Sequence, residues 1–384
     1  MMSAMHTNLL SSTADIRIKH LLHNLEVISS TIPPGTNILP MVKANAYGHG
    51  LEIIHPHLSQ TNIAGLGVAT LSEAITLRDT GFKKDILCFG GINGEVLERA
   101  DYHHVQVVLH SREDIHTYLQ SKARPRFHLE LETGMHRLGI QVKAFLDIPD
   151  IKTDLAPYIV GIFSHFAQSE IPNDDFTQVQ MDTFQKQSHQ VAAFFQKDLI
   201  LHMGNSGSIL HLDYPMMDWV RPGLALYGYD PKATSLKAHE KANSTTASAQ
   251  NKKLKPVLTW KAPIIQTKTL SAGDHVGYGC YFQAQKKMTI ATIAAGYGDG
   301  FMRSYHNIGV GYQERRCDIV GPICMDFMMI DVTDLNHVNL GDQVYLLGDG
   351  RHGEATADDI AKVDQTISYE VLSRIGSRVA RIIK

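Results

Sequence analysis

The feature that most constrains the fold is a rhythm in the first 230 residues, where short apolar runs alternate with amphipathic stretches. Eight runs qualify as strands: Asn37–Lys43, Ile63–Ala69, Asp85–Gly90, Val105–Ser111, Arg126–Glu132, Tyr158–His165, Leu199–Asn205 and Trp219–Gly228. Most are apolar at nearly every position, which suits strands covered on both faces. Helical patterns lie between them at Ser72–Thr80, Glu95–Tyr102, Arg112–Ser121 and Phe176–Lys197, and another, Ile16–Ser30, opens the series. Eight strands alternating with helices predict a (β/α)8 barrel. A doubly wound open sheet would use fewer strands and reverse their order midway.

Residues 231–256 change character, being rich in Lys, Ala, Ser and Thr and poor in aliphatic side chains. That composition predicts a solvated connection. Beyond Pro256 come strand-like runs such as VLTWKAPIIQTKTL, MTIATIAAG and QVYLLG, separated by Gly- and Asp-rich turns. The expected plan is a barrel over residues 1–240 and a mostly β domain over 246–384, and 384 residues suffice for both. A net charge of −3 lacks the basic excess of a nucleic-acid-binding protein. No uncharged apolar run approaches the roughly 18 residues that span a bilayer. The opening ten residues show no signal-peptide pattern, and four cysteines without CxxC pairing read as free thiols. Twenty-one histidines form no metal signature. A cytoplasmic protein with no metal, membrane or nucleic-acid partner is the expectation.

In a barrel, functional groups belong at the C-terminal ends of the strands. The first run ends in Val42-Lys43-Ala44-Asn45-Ala46-Tyr47-Gly48-His49-Gly50. A lysine closing an apolar strand is often only snorkelling to water. Partial burial would instead free its amine for Schiff-base chemistry, and the tyrosine and Gly-His-Gly after it favour that reading. The fifth run leads through Glu130 to Arg137, the sixth ends in Ser164-His165-Phe166, and the eighth holds Arg221-Pro222-Gly223-Leu224. The seventh gives Asn205-Ser206-Gly207, a small polar loop able to turn hydroxyls and N–H groups toward an anion. Singly, each has a plainer reading: His165 as a core histidine, Arg221 as half of an ion pair. Their coincidence at successive strand ends favours a site. The second domain adds Tyr278 within Val-Gly-Tyr-Gly, Met325 within Cys-Met-Asp, and Tyr369 within Ile-Ser-Tyr-Glu. A Gly-Tyr-Gly equally suits a turn with a packed aromatic, and the methionine-rich run suits a core.

Taken together and in order, VKANAYGHG, ETGMHRLG, SHF, NSG, RPGLALYG, VGYG, GYGDGF, CMD and ISYE resemble the alanine racemases, from about Asp15 to the end of the chain. The resemblance implies a barrel followed by a β-domain, pyridoxal 5′-phosphate (PLP) as cofactor, and a homodimer with shared active sites. It implies interconversion of L- and D-alanine by two bases, supplying D-alanine for peptidoglycan. Lys43 would carry the cofactor and serve as one base. Tyr278, reaching in from the other subunit, would be the second, linked through His165 to Arg221 at the pyridine nitrogen. For the phosphate, it implies Tyr47, Ser206, Tyr369 and the backbone N–H groups of Ser206, Gly223 and Leu224, with Asn205 beside them. Arg137 and the Met325 N–H would meet the substrate carboxylate, and Tyr297 and Arg303 would line the entry.

Two positions depart from the family pattern. Many relatives carry a lysine, in some carbamylated, where this chain has Glu130. The expectation is that the Glu130 carboxylate replaces the carbamate and orients Arg137 by a charge-assisted hydrogen bond. Pro322 stands where relatives have an arginine along the approach. A serine or broader-specificity racemase of the same fold is the main alternative, with a non-catalytic PLP-binding homeostasis protein behind it.

Overall fold

The computed structural model describes residues 11–149, 151–212, 217–234 and 254–384. After an opening strand, β1 (Thr13–Ile16), eight strands stand where the apolar runs predicted them: β2 (Asn37–Ile38), β3 (Gly65–Val68), β4 (Asp85–Cys88), β5 (Val107–Leu109), β6 (Phe127–Glu130), β7 (Ile159–Phe163), β8 (Ile200–Gly204) and β9 (Trp219–Val220). Parallel pairing runs β2–β9–β8–β7–β6–β5 and β3–β4. Bridges from Met41 to Gly67 and from Leu87 to Gln106 join the two pieces at both ends. The ring of strands is therefore closed, as in a (β/α)8 barrel. β3 and β5 are buried at every position, which is why their sequences run apolar without alternation.

Helices Leu71–Asp79, Gly94–Tyr102, Arg112–Gln120 and Asp175–Phe195 begin at Thr70, Asn93, Ser111 and Asp174, whose side chains accept first-turn N–H groups. Such caps are worth about 1 kcal/mol each and fix where loop becomes helix. The barrel helices thus start just beyond the strand C-termini, leaving those ends gathered around one mouth.

The predicted eighth strand, Trp219–Gly228, is a strand only to Val220 and then a 3-10 helix over Leu224–Tyr227. Pro222 has no N–H for a ladder. Ser206 Oγ takes the Gly223 and Ala225 N–H groups at 2.9 and 3.2 Å, so they are not free for a neighbouring strand. The predicted solvated connection opens as a 3-10 turn at Pro231–Thr234, and residues 235–253 of it lie outside the described residues.

The second region is built on β10 (Leu258–Leu270), which pairs antiparallel with Met288–Ile293 and Gln343–Leu347. β1 also pairs with β10, and in parallel with Ala380–Ile383. The first strand among the described residues therefore lies in the sheet of the chain's last third. Near the C-terminus, helix Ser368–Ser373 packs on the turn after Lys43, and Arg381 Nε donates to the Gly48 carbonyl at 2.9 Å. Among the described residues, no helix is long and apolar enough to cross a membrane, and no His/Cys/Asp/Glu group is arranged to hold a metal.

Candidate active site

Lys43 closes the first barrel strand, and the next four residues have an unusual backbone. Ala44, Asn45, Ala46 and Tyr47 all have φ between 52° and 54°, a left-handed turn made without glycine. Such residues cost roughly 1–2 kcal/mol each, so their surroundings must hold them. His49 Nδ1–H donates to the Tyr47 and Ala46 carbonyls at 2.8 and 3.1 Å, and Asn45 Oδ1 accepts the Leu51 N–H at 2.7 Å. A Cβ at Gly48 would lie 2.1 Å from the Leu372 carbonyl oxygen, so this position admits only glycine. The turn aims Lys43 into the barrel mouth and places the Tyr47 ring 4.9 Å from that of Tyr227 and 5.9 Å from that of Tyr369. Burial lowers the Lys43 pKa, and the nearby Arg137 and Arg221 guanidiniums lower it further, against an opposing pull from Glu73. The amine is thereby poised to be neutral and nucleophilic.

Arg221 is buried at the end of β9. Its Nη1 donates to His202 Nδ1 at 2.6 Å, and its Nη2 to the Ser164 carbonyl at 2.8 Å and His165 Nδ1 at 3.1 Å. The guanidinium lies over the Phe163 ring, 5.1 Å from its centroid. Because guanidinium only donates, His165 Nδ1 must accept, and in the neutral ring its Nε2 carries the hydrogen. His165 stays neutral: burial, then Arg221, Arg137 and Lys43, hold its pKa well below the usual value.

These groups share one cavity of about 440 Å³. Lys43, His165, Arg137 and Arg221 line it, joined at the other end by Tyr47, Asn205, Ser206, Gly223 and Tyr369. Leu224 is buried behind that end. Asn205 Oδ1 accepts from the Ser208 N–H at 3.0 Å and from Ser169 Oγ at 2.5 Å, so its side chain holds the loop together. Burial raises the pKa of both Tyr47 and Tyr369, which keeps the phenols protonated as donors. A Cβ at Gly223 would lie 2.4 Å from Tyr47 Oη, so the backbone and this hydroxyl meet only because position 223 is glycine.

The donor set suits PLP. It offers a neutral amine for a carbonyl, a non-acidic donor for a ring nitrogen, and hydroxyls beside a glycine backbone for a phosphate.

Four residues named from the sequence lie elsewhere. Tyr278 is 78% exposed and Met325 53% exposed, and neither lines the cavity of its own chain. Tyr297 does not line it, and Arg303 borders a separate groove with Tyr281 and Pro322. The expected bond from Glu130 to Arg137 does not form. Glu130 Oε2 instead accepts from His110 Nδ1 at 2.6 Å, across from β5, while Arg137 is exposed at the cavity edge. Sequence reasoning missed His110, and it passed over Gln106 and His128, which extend the hydrogen bonds of His202 into the barrel interior.

Residues 16–231 match the family described as alanine racemase, N-terminal domain, and residues 257–383 match alanine racemase, C-terminal domain. An alanine racemase of Psychrobacter sp. (strain PRwf-1) is 32% identical over 376 residues, covering 94% of this chain and 96% of its own. The solved alanine racemase of Clostridium difficile 630 superposes with a TM-score of 0.85 at 29% identity, covering 98% of this chain and 96% of its own. That of Bartonella henselae, solved with covalently bound pyridoxal phosphate, gives 0.80 at 28% identity, covering 97% and 99%. With both of its halves matched in order, the chain belongs to the alanine racemase family.

Proposed function

We propose that this protein interconverts L- and D-alanine with PLP, using Lys43 and Tyr278 as opposed bases in a site shared by two subunits. The observation that carries this reading is a division of labour. The residues expected around the cofactor converge on one cavity, whereas Tyr278 and Met325 stand exposed outside it. A second copy of the chain would complete the site, with the partner supplying the second base and the N–H for the substrate carboxylate. Four free cysteines support a reducing compartment, the cytoplasm, where the D-alanine would serve peptidoglycan synthesis.

Racemisation needs a proton removed from one face of the α-carbon and returned to the other. Lys43, held near neutrality by burial and two guanidiniums, takes or gives it on one face. On the other face Tyr278 needs help, since an ordinary phenol, with a pKa of about 10, is a poor base. His165 provides it: with Nδ1 occupied by Arg221, its Nε2–H is left to donate to a phenolate. PLP, when bound, supplies an electron sink for the carbanion. Lys43 would hold it, with Tyr47, Ser206 and Tyr369 at the phosphate and Arg221 at the ring nitrogen. Arg221 cannot readily surrender a proton, which limits charge delocalisation and favours return of the proton to the α-carbon. Arg137 would meet the substrate carboxylate without help from Glu130.

Incubation with PLP and L-alanine, followed by chiral chromatography, tests the reading, with L-serine as comparator. D-alanine should accumulate toward an equal mixture. Failure to form D-alanine, or faster turnover of serine, would overturn it.

A further inference from the structure

Behind Arg221 a line of buried polar groups crosses the barrel interior, with no contact to the cavity beyond Arg221. His202 Nε2 lies 2.8 Å from His128 Nδ1, and His128 Nε2 lies 2.9 Å from Gln106 Oε1. Gln106 is 4% exposed, and both histidines are fully buried. The line spans strands β8 and β6 and ends on the residue that bridges β4 to β5. The barrel makes room for it. A Cβ at Gly161 on β7 would lie 2.3 Å from His128 Nδ1, and the His202 ring stacks on Phe163 with centroids 4.9 Å apart.

The direction of every hydrogen bond is set by one residue. Arg221 can only donate, so His202 Nδ1 accepts and a neutral His202 carries its hydrogen on Nε2. That hydrogen is donated to His128 Nδ1, which leaves His128 with its own hydrogen on Nε2, facing Gln106. An oxygen is needed there, and Gln106 Oε1 supplies it. Remove it, and the His128 Nε2–H is left buried without an acceptor, which only a reversed tautomer would relieve. His202 must then reverse as well, setting an N–H of His202 against an N–H of Arg221.

We infer that Gln106 and His128 are positioning residues of the active site. They terminate a one-way hydrogen-bond chain that holds the His202 lone pair on Arg221 and thereby fixes the guanidinium between His165 and the cavity. Burial, with the charge of Arg221 and, for His128, that of Arg126, holds both histidines below their usual pKa, consistent with neutral rings. The inference rests on the racemase reading for its kinetic consequences, though not for the tautomers themselves.

Long-range proton–nitrogen NMR of the holoenzyme labelled with 15N-histidine reads the tautomers directly. His128 and His202 should both be neutral with hydrogen on Nε2 between pH 8 and 5, and an imidazolium or an Nδ1–H form of either would overturn the inference. This arm stands even if the protein racemises nothing, and even if the variants fail to fold. Kinetics supply the second arm. Gln106→Leu should lower kcat about tenfold, the worth of one buried hydrogen bond expressed in the transition state, with little change in KM. Gln106→Glu, which restores an acceptor oxygen, should recover most of that loss. A Gln106→Leu enzyme with wild-type kcat, or a loss that Gln106→Glu does not rescue, would refute the positioning role.

Discussion

Gly223→Ala tests the cofactor cradle with a single methyl group. The new Cβ would lie 2.4 Å from Tyr47 Oη and 2.9 Å from Tyr47 Cζ. Ordinary contact begins near 3.4 Å, so the hydroxyl must retreat by about 1 Å. Tyr47 has nowhere easy to go: its ring is stacked on the fully buried Tyr227 and flanked by Tyr369. Overpacking of this kind costs about 1–3 kcal/mol. A hydroxyl displaced by that distance also loses its hydrogen bond to a phosphate, worth about 1.5–3 kcal/mol when the acceptor is charged. The backbone N–H of residue 223 is kept, as is its bond to Ser206 Oγ. PLP affinity, measured by fluorescence titration of the apoprotein, should therefore weaken about tenfold to a hundredfold. Gly91→Ala is the control, because its Cβ would meet nothing within 4 Å. Unchanged affinity in Gly223→Ala would refute the assignment of Tyr47 and Gly223 to the phosphate.

Two further predictions concern stability. Burial pushes the pKa of His49 down to about 4 and that of His128 down to about 3. Below pH 6.5 the unfolded chain binds protons that the folded chain refuses, so stability falls as the pH drops from 6.5 toward 4, by about 3 kcal/mol for each histidine. Urea unfolding across that range should show the decline, and His49→Gln should remove about half of it; a midpoint independent of pH would contradict the buried neutral state. At the exposed, left-handed Ala44, glycine should leave the melting temperature nearly unchanged, since relief of about 1 kcal/mol of strain is offset by a more flexible unfolded chain. Ala44→Val should lower it by several degrees, and equal melting of the two variants would mean that the turn is not strained.

Much of the barrel was legible because strands buried on both faces leave mostly apolar runs, and all eight stood where such runs lie. The same property misled at Leu224–Tyr227, where a buried 3-10 helix is as apolar as a strand and only Pro222 and Gly223 hinted at the break. Lys43, His165, Ser206 and Arg221 were legible from their place at strand ends. Gln106 and His128 were not, because a single polar residue inside a buried run looks like a satisfied core group. Their link joins His128 on β6 to the residue just before its neighbour β5, a register that the sequence does not display. Glu130 failed as a partner for Arg137 for a related reason. A seven-residue spacing does not reveal that His110, one strand over, lies 2.6 Å from the carboxylate.

The central claim is that each site takes Lys43 from one subunit and Tyr278 from its partner. Lys43→Ala and Tyr278→Phe homodimers should each lose racemisation from L-alanine. Mixed under conditions that exchange subunits, the two inactive proteins form hybrids in which one site pairs the native Lys43 of one chain with the native Tyr278 of the other. Half of the dimers would be hybrids with one intact site of two, so activity should return to about a quarter of wild type. A mixture that forms hybrids yet stays inactive would contradict the shared site and the two-base scheme built on it.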